Sequence, residues 1–181
     1  MTKLKESIRN LLTQKDHVVI AIDGRCGSGK STLADDLAAE FDGAIIRMDH
    51  FFLPPYLRGQ ERVNVHYERF LEEVYPNLLK SIPFTYRIFD CSIMDYQGQN
   101  QIEMKPLLII EGAYSLYPPF EDIYDLSIFC DIDENTQKKR IINRNGENGY
   151  KMFKEKWIPM EEAYFKEYDV LNRCDILVTL S

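Results

Sequence analysis

Residues 17–41 read HVVIAIDGRCGSGKSTLADDLAAEF, and this stretch decides the fold. VVIAI at 18–22 is a short, β-branched, wholly apolar run, the pattern of a strand buried on both faces. From Lys30 to Phe41 the apolar residues Leu33, Leu37 and Phe41 recur at helical spacing. Between them Gly24, four residues, then Gly29-Lys30-Ser31 match G-x-x-x-x-G-K-[ST], the phosphate-binding P-loop. Glycines let backbone N–H groups wrap closely around an anion, and the following helix aims its positive end at it. The nucleotide-binding residues expected here are Gly24, Arg25, Cys26, Gly27, Ser28, Gly29, Lys30, Ser31 and Thr32. Lys30 reaches the β- and γ-phosphates of ATP or GTP, and the Ser31 hydroxyl ligates Mg²⁺. Cys26 is a passenger in this loop, or a thiol activated by its neighbours.

Outward from this junction the same alternation repeats. AIIRM at 44–48, LLII at 107–110, LSIFCDI at 126–132 and the terminal CDILVTL predict further strands. Helices are expected at the N-terminus through Leu4, Ile8, Leu11 and Leu12, over 67–81, from an Asp133 N-cap, and over 150–171 with Pro159 opening a segment. NGENG at 145–149 reads as a mobile loop, and 84–104 as an irregular hairpin or arm. Strands alternating with helices imply an α/β fold, a parallel sheet covered on both faces. One domain spanning 1–181 is the expectation, with excursions at 50–65 and 84–104 and a lid near 140–150.

The 181 residues carry a net charge of −7, which argues against a broad nucleic-acid surface. No run approaches a membrane span or a secretory leader, so a cytoplasmic protein is expected, with no membrane partner and homo-oligomer formation left open. The four cysteines form no CxxC pair, and Cys130 and Cys174 read as small hydrophobes.

Two acids follow strand ends, Asp49 in MDHFF and Glu111 in LLIIEG. Beside a triphosphate, such carboxylates orient Mg²⁺ or accept a proton from an attacking hydroxyl. Glu111 joins Ser31 as a candidate metal ligand. Arg140 and Arg144 share a helical face ahead of the Gly/Asn-rich stretch, where a closing flap would neutralise the transferring phosphoryl group. Lys138 and Lys139 read as a solvated face. Phe51, Phe52, Tyr56, Tyr114 and Tyr117 are candidates for an acceptor wall, and Arg58, Arg62 and Arg69 for anchoring an anionic acceptor or simply facing solvent. His50 and His66 belong to no metal-ligand pair.

In order, AIDGRCGSGKSTLADDLA, MDHFF, LLIIEGAY, the arginine-bearing lid and CDILV resemble the uridine kinase-like family of P-loop kinases, a group that includes phosphoribulokinase-like, pantothenate kinase-like and nicotinamide riboside kinase-like enzymes. The resemblance implies a P-loop NTPase three-layer αβα sandwich with strand order 2-3-1-4-5. It implies a kinase that moves the γ-phosphoryl group of ATP or GTP to a hydroxyl of a small metabolite, with a nucleoside the first acceptor to consider. Lys30, Asp49, Arg140 and Arg144 would be its catalytic residues, Asp49 the general base. The chain departs from that family where the acceptor is read. An Asp-His-Pro segment gives way to NVHYERF, and a Tyr-Asp-Phe box to IFDCSIMDY, which keeps Asp90 and offers Met94 and Tyr96. The competing readings are a GTPase-like switch, from Asp95-Tyr-Gln-Gly98 as D-x-x-G, and a nucleotide-binding regulator without an acceptor.

Overall fold

A computed structural model describes residues 1–58 and 64–179. Strand β1 (Val18–Gly24) lies at the centre, buried along its whole length. It pairs in parallel with β5 (Leu107–Glu111) on one side and β6 (Leu126–Asp131) on the other. Strand β2 (Gly43–Arg47) joins β5, and β7 (Ile176–Thr179) joins β6. The sheet order β2-β5-β1-β6-β7 is 2-3-1-4-5 when only its own strands are counted, as the resemblance implied. Successive residues of a strand face opposite sides. Val18, Ile20 and Ile22 therefore pack beneath Leu4 and Ile8 of α1 (Thr2–Leu12) and Leu33 and Leu37 of α2 (Lys30–Phe41). Val19 and Ala21 face the second core, with Ile46, Ile110, Phe70, Phe120 and Phe165.

Residues 67–81 form two helices rather than one, α3 (Tyr67–Glu73) and α4 (Tyr75–Lys80), separated by Val74 at φ −116°. Pro76 explains the break, since it has no N–H to bond back into the preceding turn. The 84–104 segment is a more regular hairpin than expected: β3 (Phe84–Asp90) runs antiparallel to β4 (Asp95–Ile102), with one register shift between Arg87 and Phe89. Phe84, Tyr86 and Phe89 face the core, and Phe51 stacks on Tyr86 with ring centres 5.0 Å apart. Asp95–Gly98 falls on this outer hairpin, remote from the sheet that a switch motif would have to close.

NGENG is not a loop. Helix α5 (Glu134–Met152), capped by Asp133 accepting from the Thr136 N–H at 3.0 Å, continues through it with one kink at Gly146. Gly146 sits at φ 71°, ψ 174°, a conformation that costs a residue with a side chain far more than glycine. The helix passes by a π-helical turn, Phe153–Trp157, into α6 (Ile158–Glu167), which Pro159 opens as expected, and then into the short α7 (Val170–Arg173). Among the described residues no helix is long and apolar enough to cross a membrane.

Candidate active site

The carboxyl ends of β1, β2 and β5 open into a cavity of about 620 Å³. Gly24, at the end of β1, has φ +138°, and a Cβ there would meet the Cys130 carbonyl oxygen at 2.1 Å. Only glycine permits this approach of β1 to β6, and it turns the chain into the loop. Gly29 then caps α2 at φ 97°. Cys26, Gly27, Gly29, Lys30, Ser31 and Thr32 line the cavity. The amides of Gly27 and Gly29 have no acceptor among the described residues, and the buried Ser28 hydroxyl has no partner. These are unspent donors in a concave loop at a helix N-terminus, which fits a phosphate chain.

Not every P-loop residue faces that space. Gly24 acts through its backbone turn. The Arg25 side chain points elsewhere, donating from Nε to Asp131 at 2.8 Å, pairing with Glu162 and lying over the Phe165 ring. Lys30 is buried, and its ammonium donates to the carbonyls of Gly24 at 2.6 Å and Arg25 at 2.9 Å. Burial pushes the Cys26 thiol up to about 12, which removes the reactive-thiol reading. Cys130 is a buried core residue, and Cys174 is half-buried.

The two predicted acids arrive at the same edge in different states. Glu111 is buried and accepts from the Ser31 hydroxyl at 3.0 Å and from Arg47 at 2.9 Å. Loss of solvent raises its pKa despite these donors. Asp49 lies in the tight turn after β2, exposed to the cavity, and its carboxylate has no hydrogen bond or ion pair among the described residues. Ser31 and Glu111 together offer hard oxygen donors, the type Mg²⁺ takes alongside phosphate and water. Among the described residues no cluster of three His, Cys, Asp or Glu side chains stands ready for a metal.

Arg140 and Arg144 line the cavity from α5, just before its kink. Arg140 donates to the Gly27 carbonyl at 3.2 Å, while Arg144 donates to Asn145 at 2.8 Å and lies 5.6 Å from the Phe153 ring centre. Lys138 and Lys139 are exposed, as read. Of the candidate aromatics, Phe52 and Tyr114 reach the cavity. Phe51 is core, Tyr56 faces solvent, and Tyr117 packs against Tyr67, Phe120 and Tyr168.

Arg69 corrects both of its readings. It is neither solvated nor in the cavity. It is buried over the Phe51 ring at 4.3 Å, donating to the carbonyls of His50 and of Arg87, the latter at 2.5 Å. Arg62 lies outside the described residues. His50 exchanges a hydrogen bond with the Tyr86 hydroxyl at 3.0 Å, and burial lowers its pKa, which favours the neutral ring.

Sequence reasoning missed the supports of the loop. Asp23 is fully buried and accepts from the Gly24 N–H at 2.7 Å, the Leu116 N–H at 3.0 Å and the Tyr164 hydroxyl at 2.9 Å. Glu161, also buried, accepts from the Cys26 N–H at 2.9 Å. Gln137 donates to the Cys26 carbonyl at 3.0 Å. Asp23 was visible as the one charge closing an apolar strand; Glu161 and Gln137 carried no signal of their own.

Comparison with known proteins fits this geometry. No protein-family model matches the chain. A uridine kinase of Clostridium botulinum (strain Kyoto / Type A2) is 30% identical over 144 residues, 72% of this chain and 68% of that protein. The chain belongs to the uridine kinase-like family. It is accordingly a phosphotransferase acting on a hydroxyl group. The uridine kinase of Bacillus subtilis (strain 168) is 28% identical over the same fractions. A solved structure of a possible uridine kinase from Bacillus stearothermophilus superposes with a TM-score of 0.67, 19% identity and coverage of 97% of this chain and 98% of that one, a likeness of fold.

Proposed function

We propose that this family member transfers the γ-phosphoryl group of ATP to a hydroxyl of a small metabolite, uridine being the first acceptor to try because the relatives are named for it. One observation carries the reading: a carboxylate without a hydrogen bond or ion pair among the described residues, Asp49, opens into the same cavity as the phosphate-loop amides of Gly27 and Gly29, which have no acceptor among those residues. The loop amides and the α2 N-terminus hold the phosphates. Lys30 exchanges its loop carbonyls for phosphate oxygens, a change of partner within reach of one flexible side chain. Arg140 and Arg144 face the phosphoryl group as its charge spreads, and the roof formed by α5 and the Phe153–Trp157 turn keeps water away. Ser31 and Glu111 would hold Mg²⁺, which would supply positive charge against the triphosphate.

Asp49 accepts the acceptor's hydroxyl proton. The acceptor oxygen bonds to the γ-phosphorus as the bond to the departing ADP breaks. The test is ADP release with and without uridine and other hydroxyl compounds. Asp49→Asn should leave ATP affinity intact and lower kcat by about 10²- to 10⁴-fold, the range for a lost general base. Normal turnover in that variant would remove Asp49 from the mechanism, and hydrolysis indifferent to any acceptor would favour a nucleotide switch instead.

A further inference from the structure

The two candidate metal ligands belong to a ring of side chains built on two strands and a helix. Arg47 and Glu111 are the last residues of β2 and β5 and are paired in register, so their side chains leave the same face of the sheet. That face meets α2, where Ser31 and Asp35 stand one helical turn apart on one side. Glu111 Oε1 accepts from the Ser31 hydroxyl at 3.0 Å, and Oε2 accepts from one terminal nitrogen of Arg47 at 2.9 Å. The other terminal nitrogen of Arg47 donates to Asp35 at 2.7 Å. Ser31 and Glu111 line the cavity, and Arg47 does not.

Arg47 therefore acts on the cavity through Glu111. Its planar fork is held from both sides, by a buried carboxylate and by one on α2, so it cannot turn away from either without breaking the geometry of both. With Oε2 taken, Glu111 keeps one oxygen for a cation. One oxygen suits Mg²⁺, which is small, octahedral and fills its other positions with phosphate and water. Ca²⁺ takes about six to eight oxygens and readily grips a carboxylate by both of them. The charge of Arg47 opposes either divalent cation alike, so the choice between them comes from the blocked oxygen.

We propose that Arg47 selects the metal: by holding Oε2 of Glu111 it denies Ca²⁺ a two-oxygen grip and leaves a site suited to Mg²⁺. Arg47 is a positioning residue that sets cation specificity. This rests on the kinase reading above, in which Ser31 and Glu111 hold the metal that accompanies ATP.

The experiment measures ATP binding to the whole chain, without acceptor, in excess MgCl₂ or excess CaCl₂. Trp157, the only tryptophan, lines the cavity and supplies a fluorescence signal, with calorimetry as an independent measure of Kd. The native chain should bind ATP at least about 10-fold more tightly with Mg²⁺ than with Ca²⁺. Arg47→Met removes a repulsion felt by both cations and a block felt only by Ca²⁺, so the ratio should shrink by about 10-fold. Arg47→Gln, too short to reach Oε2, carries the same expectation should the methionine variant fail to fold. A native chain with no preference, a ratio that survives the loss of Arg47, or binding with both cations weakened in equal proportion overturns the proposal. Acceptor-dependent ADP release with Mg·ATP, measured alongside on the native chain, tests the kinase reading separately; where it persists, those results remove only the role of Arg47. If neither cation affects ATP binding, the assignment of Ser31 and Glu111 falls with it.

Discussion

Replacing Asp23 by Asn tests whether the loop rests on a strained charge. The carboxylate is fully buried beneath the phosphate loop. Three donors and the nearby Lys30 favour its ionised form, yet desolvation outweighs them and pushes its pKa from the ordinary 3.8 to about 6. The folded protein therefore takes up a proton at a pH where the unfolded chain has already lost it. The stabilisation this confers is complete below pH 3.8 and disappears as pH rises through about 6. A shift of this size corresponds to about 3 kcal/mol in all, of which roughly 2 kcal/mol falls between pH 4.5 and 7. Asp23→Asn cannot titrate. The difference in unfolding free energy between the two proteins should thus move by roughly 2 kcal/mol across that range, the native sequence losing ground as pH rises. Urea unfolding at half-unit pH intervals, followed by circular dichroism, measures it. Curves that stay parallel would refute the reasoning, because Asp23 would then share one pKa in both states.

Two further perturbations probe how the site is held. Gly24→Ala would drive a methyl group into the Cys130 carbonyl, and should cost about 4 kcal/mol or more in urea unfolding together with ATP binding; an unchanged midpoint would mean that β6 gives way freely. Arg69→Met strips the brace between the His50 and Arg87 carbonyls and takes the guanidinium donors from both oxygens, while Glu73 keeps Arg87. About 3 kcal/mol of destabilisation is expected, and a melt within experimental error of the native chain would contradict the brace.

The parallel sheet was legible because burial on both faces writes itself as unbroken apolar runs, and the P-loop because anion binding restricts side chains at fixed spacing. The hairpin was not. Its inward residues Phe84 and Tyr86 alternate properly, but the shift at Arg87 moves Phe89 out of phase. The 145–149 stretch failed for the opposite reason: two glycines and two asparagines promise a loop locally, yet the helix runs on through them, exposed to solvent over 143–148, and spends only Gly146 on a kink. Arg69 shows a third limit. No pattern in ERFLEE distinguishes an arginine facing water from one covered by a hairpin that arrives later in the chain. Asp49 and Glu111 were placed at the right edge, but the sequence held no hint that one would be free and the other bonded twice.

The roof over the cavity is fastened at both abutments. Before the kink, Gln137 and Arg140 grip the carbonyls of Cys26 and Gly27; beyond the π-helical turn, Glu161, Glu162 and Tyr164 grip the Cys26 amide, Arg25 and Asp23. An arch sprung from the same few residues at either foot has no loose edge to swing. Any clearance it gives must come from flexing at the crown, between Gly146 and Trp157, so its two feet keep station with the phosphate cradle whatever passes beneath.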